Sequence, residues 1–120
     1  MNSYQKKIEA FSKARKWHQF YNPKDLLLGI VEEIGELRNV VKWEQDPAKL
    51  LKVLADNREE VEDNIGDLYW FLAILANEAG VDLDSAIKKV ITRNTKRFPV
   101  ARVKGHHTNL KLGGKDKQYN

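Results

Sequence analysis

Two short acidic runs carry most of the chemistry this sequence can do. The first is Glu32-Glu33-Ile34-Gly35-Glu36, in which Glu33 and Glu36 stand three residues apart and would share one side of a helix. Like charges this close repel, and Glu33 sits beside the apolar positions Ile30, Ile34 and Leu37, an arrangement that is unfavourable unless a cation is bound. The second run is Glu59-Glu60-Val61-Glu62-Asp63-Asn64-Ile65-Gly66-Asp67, where Asp63 and Asp67 share a face and Asn64 lies three residues before Asp67. Opposed on two packed helices, the runs would build a cage of oxygen ligands, the kind that selects Mg²⁺ or Mn²⁺ over zinc. Acidic runs on helices usually face water, and either run alone would be read that way. Together they carry more weight, because each interrupts an apolar stripe and each is followed by aromatics, Trp43 in one case and Tyr69, Trp70 and Phe71 in the other.

Other site chemistries are excluded by what is missing. There is no cysteine, hence no disulfide, thiolate metal site or cysteine nucleophile. A carboxylate di-iron site calls for Glu-x-x-His pairs, and His18, His106 and His107 make none.

The elements that position these groups read as helices. Apolar residues recur at three to four residue spacing through the first 98 residues, and no stretch alternates as a strand would. A first helix capped by Ser3 carries Ile8, Phe11 and Trp17 inward, and Phe20-Tyr21-Asn22-Pro23 breaks it. The second starts near Lys24 or Asp25, buries Leu26, Leu27, Ile30, Ile34, Leu37 and Val41, and ends before Asp46-Pro47. Residues 47–55 form a short helical connector. Asp56 with Glu59 resembles a capping box for a third helix, with Val61, Ile65, Leu68, Leu72 and Leu75 inward and a stop at Gly80. A fourth helix, capped by Asp82 or Asp84, buries Ala86, Ile87, Val90 and Ile91 and stops before Phe98-Pro99. The expected architecture is an all-α, four-helix domain over residues 1–99, followed by an irregular basic tail over 100–120.

At 120 residues the chain has room for one ordinary domain. Its net charge of +4 hides a strong asymmetry: residues 1–24 carry +5, residues 25–84 carry −10 and residues 85–120 carry +9. The acidic middle argues against a nucleic-acid partner, which is not expected. No run of about 18 apolar residues and no leader-like N-terminus is present, so no membrane association is expected and the location is read as cytoplasmic.

The residues also carry a family resemblance. Glu33-x-x-Glu36, Asn64-x-x-Asp67, the stretch Leu75-Ala76-Asn77-Glu78-Ala79-Gly80-Val81-Asp82-Leu83 and Asn94-x-x-Arg97-Phe98-Pro99 occur in the order that resembles the MazG-like nucleotide pyrophosphohydrolases. The segment Trp17-His18-Gln19-Phe20-Tyr21-Asn22-Pro23 through Leu28 is similar to the dCTP pyrophosphatase branch. The resemblance spans roughly residues 15–99. It implies an all-α, Mg²⁺-dependent enzyme, with Mn²⁺ able to substitute, that splits a nucleoside triphosphate into a monophosphate and pyrophosphate and favours dCTP-like substrates. It also implies that Glu33, Glu36 and Asp67 are metal ligands, with one of the glutamates a candidate base, and that the protein is a homodimer or homotetramer.

Two departures from the family pattern stand out. Asn64 replaces the usual glutamate and Val90 replaces a common lysine, so Asp63 is a candidate compensating ligand and Lys89 a candidate phosphate contact beside Asn94 and Arg97. Trp43, Tyr21 and Phe71 are candidate nucleoside contacts on the same resemblance, and Trp17 is assigned to packing. The departures motivate an alternative of another class, a non-catalytic nucleotide-binding or regulatory module.

Overall fold

The computed structural model describes residues 1–105, and within them it contains helices and turns and no strand. The elements in chain order are α1 (Ser3–Ala14), a 3₁₀ turn (Trp17–Phe20), α2 (Pro23–Val41), a second 3₁₀ turn (Pro47–Lys49), α3 (Leu50–Asp56), α4 (Arg58–Glu78), α5 (Leu83–Arg97) and α6 (Val100–Val103). The all-α expectation holds. The single turn α6 falls where the irregular tail was expected to begin, and the rest of that tail, with His106, His107, Gly113 and Gly114, lies outside the described residues. Among the described residues no helix is long and apolar enough to cross a membrane.

Helix starts follow cap chemistry more closely than apolar spacing. α1 is capped by Asn2 rather than Ser3: the Asn2 side chain accepts from the Gln5 amide at 2.8 Å, and the Gln5 side chain accepts from the Asn2 amide at 3.1 Å. α2 starts at Pro23, whose fixed φ suits the first turn, under the Asn22 side chain, which accepts from the Asp25 amide at 2.9 Å. The expected Asp56 cap is absent. Asn57 ends α3, its Nδ2 donating to the Val53 carbonyl at 2.8 Å, and begins α4 with no side-chain N-cap bond, so the two helices meet at one residue.

The chain forms two compact units, Met1–Leu83 and a second from Asp84 onward. In the first, α4 packs against both α2 and α1. This sandwiching places its buried residues on two faces: Asn64 and the small Ala73 and Ala76 are buried together with Ile74. Ile65 and Leu72, expected inward, stand on a third face and are exposed, as are Leu27 and Ile34 of α2. The core is compact, with Ile8, Leu26, Ala73 and Ile74 at its centre and Tyr21, Trp70, Phe71, Leu75 and Leu83 around them. In the second unit Ile87 and Ile91, also expected inward, are more than half exposed.

A buried polar staple fixes α1 to the turn after α4. Gln5 is fully buried, and its Nε2 donates to Asn77 Oδ1 at 2.9 Å and to the Val81 carbonyl at 2.8 Å. Its Oε1 accepts from the Leu83 amide at 2.8 Å, and Asn77 Nδ2 donates back to the Gln5 carbonyl at 3.1 Å. Every polar atom of a residue type normally exposed is thereby satisfied.

Candidate functional site

Three successive juxtapositions run up α2 and down α4, which makes the two helices antiparallel. A Cβ on Gly29 would lie 3.0 Å from the Phe71 ring, so the ring rests on the bare backbone of α2. One turn further along, Glu33 lies close enough to Asp67 to feel its charge. One turn beyond that, Glu36 and Asn64 line the same cavity. The missing side chain at Gly29 is what lets the Phe71 ring lie against α2 here.

Glu33 is the strained member of the group. Its carboxyl is pushed up from the ordinary range, first by burial and then by the negative charges of Glu36, Asp67 and Glu32. Its Oε2 is buried with no hydrogen-bond partner, and so is Nδ2 of Asn64, a residue only 7% exposed. Buried polar atoms are normally paired; the orphan Glu33 oxygen among repelling acids marks a place that a positive charge would favour, while the orphan Asn64 Nδ2, a donor, leaves an acceptor still to be supplied.

The cavity beside them has a volume of ≈ 570 Å³ and is lined by Glu36, Asp63 and Asn64 together with residues of the α3–α4 junction, Asp56 to Glu60. Its rim is acidic, with Arg58 tied to Glu62 at 2.8 Å. No three acids or histidines among the described residues converge closely enough to hold an ion by themselves. Of the residues expected to form the oxygen cage, Glu36, Asp63 and Asn64 line this cavity, and Glu33 lies beside them within reach of the Glu36 and Asp67 charges. That donor set, all oxygen and incomplete, fits Mg²⁺, which keeps waters and takes one or two carboxylates plus substrate phosphates.

The remaining candidates are scattered. α2 ends at Val41, so Trp43 lies beyond the helix that was expected to run on to Asp46-Pro47; it is 83% exposed, with the Lys42 ammonium 5.0 Å from its ring centre. Tyr21 has its hydroxyl 2.8 Å from the buried Ser12 hydroxyl and its ring against the core. Trp17, expected inward on the first helix, lies instead in the 3₁₀ turn after it and is exposed, though its ring packs edge-on to Phe11 at 5.5 Å. Asn94, Arg97 and Lys89 belong to the second unit. Asn94 and Arg97 share one side of α5 by their three-residue spacing, whereas Lys89 lines a groove with Lys88, Thr92, Arg93 and Lys96. Sequence reasoning passed over Gln5, Ser12 and His18; the Asn2-x-x-Gln5 spacing of a capping box was the readable signal for the first.

Comparison with known proteins decides the family. The profile of the MazG nucleotide pyrophosphohydrolase domain matches residues 21–101. The chain belongs to that family. The MazG domain is 32% identical over 91 residues to dCTP pyrophosphatase 1 of Bos taurus and 31% identical over 90 residues to that of Homo sapiens. These matches cover 75% and 74% of the chain and 54% and 53% of the relatives, so the chain spans about half the length of the curated relatives it matches. Among solved structures, a pyrophosphatase from Archaeoglobus fulgidus superposes with a TM-score of 0.71 at 27% identity, covering 77% of this chain and 85% of that one. The matched segment contains Glu33, Glu36, Asn64 and Asp67, the residues that the fold brings together.

Proposed function

We propose that this MazG domain is a Mg²⁺-dependent nucleoside triphosphate pyrophosphohydrolase that converts a (d)NTP and water to a (d)NMP and pyrophosphate, with dCTP-like substrates favoured. The observation that carries the reading is Glu33: a half-buried carboxylate among other acids, with one buried orphan oxygen, is unfavourable in the free protein and becomes favourable when a cation joins it. The similarity to dCTP pyrophosphatases supports the substrate class.

In this reading Glu33, Glu36 and Asp67 hold the metal, with the Asn64 amide oxygen and Asp63 completing the shell toward the cavity. Bound there, the cation supplies charge neutralisation for the triphosphate and polarises its phosphoryl oxygens. Glu33 or Glu36 orients the attacking water and takes its proton. The acidic rim repels a triphosphate that arrives without its cation. Trp43 offers an exposed ring for stacking on the base, and Phe71 forms the apolar floor below Asp67. Asn94 and Arg97 keep the phosphate-contact role that the family resemblance implies, the arginine through its bidentate fork. Tyr21, with its hydroxyl held by Ser12, and Lys89 are the remaining candidate contacts that the resemblance offers.

The active form is a homodimer or homotetramer. Supporting this, Leu27, Val31 and Ile34 form a stripe at four- and three-residue spacing on α2 that is half or more exposed, and Ile65 and Leu72 form another on α4; contiguous exposed apolar surface of this kind marks an association site. The test is a panel of deoxynucleoside and nucleoside triphosphates with Mg²⁺, read by separation of the products. Monophosphate and pyrophosphate in equal amounts, fastest from dCTP-like substrates, is the expected result; diphosphate and phosphate, or no turnover of any nucleotide, would overturn the reading.

A further inference from the structure

His18 stands in the turn Trp17–Phe20 with a carboxylate on each ring nitrogen. Its Nδ1 is 2.8 Å from Glu78 Oε1 at the end of α4, and its Nε2 is 2.9 Å from Glu9 Oε1 in the middle of α1. The ring lies edge-on to Tyr21, with centroids 5.7 Å apart. A neutral imidazole carries one N–H donor and one bare nitrogen that only accepts. Ionised carboxylates also only accept, so the neutral ring satisfies one of its two partners and turns a lone pair toward the other at contact distance. The imidazolium satisfies both.

We propose that Glu9, His18 and Glu78 form a proton-operated brace: the charged ring fastens the second half of α1 and the following turn to the end of α4, and the neutral ring releases one of the two. The charged groups acting on the ring are Glu9 from α1 and Glu78 from α4, both acids, with the Tyr21 ring as the neighbour at the start of α2. The side chains of His18, Glu9 and Glu78 are 38%, 32% and 31% exposed, so protons reach the ring without unfolding. Lys16, immediately before the turn, is held at φ 54°, a left-handed conformation unfavourable for a lysine. The brace thus holds a strained entry to the turn, and release has a direction. Release is confined to the segment from Glu9 to Phe20: the first half of α1 is pinned by the Gln5 staple, which contains no titratable group, and the Ser12–Tyr21 bond keeps the chain from detaching.

The pH window follows from the ring. The hydrogen bond to Glu78 is the largest influence; it and the charge of Glu9 outweigh burial and raise the imidazole pKa above its usual 6.5. The stabilisation is therefore complete below that value and is lost as pH rises through the raised one. The test follows the His18 ring by NMR in the full chain, with His18→Gln to assign the resonance against His106 and His107. Amide exchange of residues 9–20, corrected for its intrinsic pH dependence, is measured in parallel. The expected result is a His18 midpoint above 6.5 and protection that falls about two- to fivefold over the same interval, the scale of a partly exposed ion pair. In His18→Gln the protection is independent of pH, and in Glu9→Gln the midpoint moves down. A His18 midpoint at or below 6.5, or the same pH response in His18→Gln as in the wild type, would overturn the proposal.

Discussion

Replacing Glu33 by glutamine should make the metal-free protein more stable while abolishing its response to Mg²⁺. Glutamine keeps the shape of the side chain and removes its charge. The orphan Oε2 loses the desolvation penalty of a charged group, about 1 kcal/mol at partial burial. Relief of repulsion with Glu36 at i+3 adds about 0.3 kcal/mol, the size of a like-charged helical pair, and the charge of Asp67 across the helix pair adds a similar amount. The gain is then about 1.5 kcal/mol, or roughly 5 °C in Tm for a domain of this size. Thermal unfolding in EDTA and in a Mg²⁺ series measures both parts. Wild type should climb with Mg²⁺ as a ligand-stabilised protein does, and Glu33→Gln should start higher and stay flat, so that the curves converge or cross. A variant less stable than wild type in EDTA, with an undiminished Mg²⁺ response, would refute the idea that Glu33 is held in an unfavourable state for the sake of a cation.

Two further substitutions separate stability from function. Gln5→Ala strips partners from the Val81 carbonyl, the Leu83 amide and Asn77; with each buried orphan worth about 1 kcal/mol or more, chemical denaturation should show a loss of about 3 kcal/mol. Trp43→Ala removes a side chain that is 83% exposed and should change stability by less than about 0.5 kcal/mol. If Trp43 stacks on the base it should raise the KM for the nucleotide about tenfold, the effect of losing one such contact; an unchanged KM would remove Trp43 from the site.

The acidic runs were legible because they contradict their surroundings. A glutamate beside Ile30, Ile34 and Leu37 on one helix and an aspartate within an apolar run on the next imply facing pairs once two helices pack, and the fold pairs Glu33 with Asp67 and Glu36 with Asn64. The inward faces were harder to read. Periodicity assumes one buried stripe per helix, whereas α4 is covered on two sides by α1 and α2, which buries Ala73 and Ala76 and leaves Ile65 and Leu72 outside. The end of α2 also resists spacing arguments: the helix stops at Val41, five residues before Asp46-Pro47, and Trp43 lies beyond it as a result. The long-range bonds of Gln5 and His18 were invisible for a different reason. Beyond the local capping box of Gln5 and the Glu9 contact of His18, they reach Asn77 and Glu78, more than fifty residues away, which no local pattern announces.

The most direct test of the central claim is pyrophosphate release from dCTP by wild type and Glu36→Ala, each assayed with Mg²⁺ and with EDTA. Wild type should release pyrophosphate only with Mg²⁺, and Glu36→Ala should be slower by about 100-fold or more, the scale of losing a group that acts on transition-state charge. Pyrophosphate release that survives EDTA, or a Glu36→Ala variant as fast as wild type, would contradict the account.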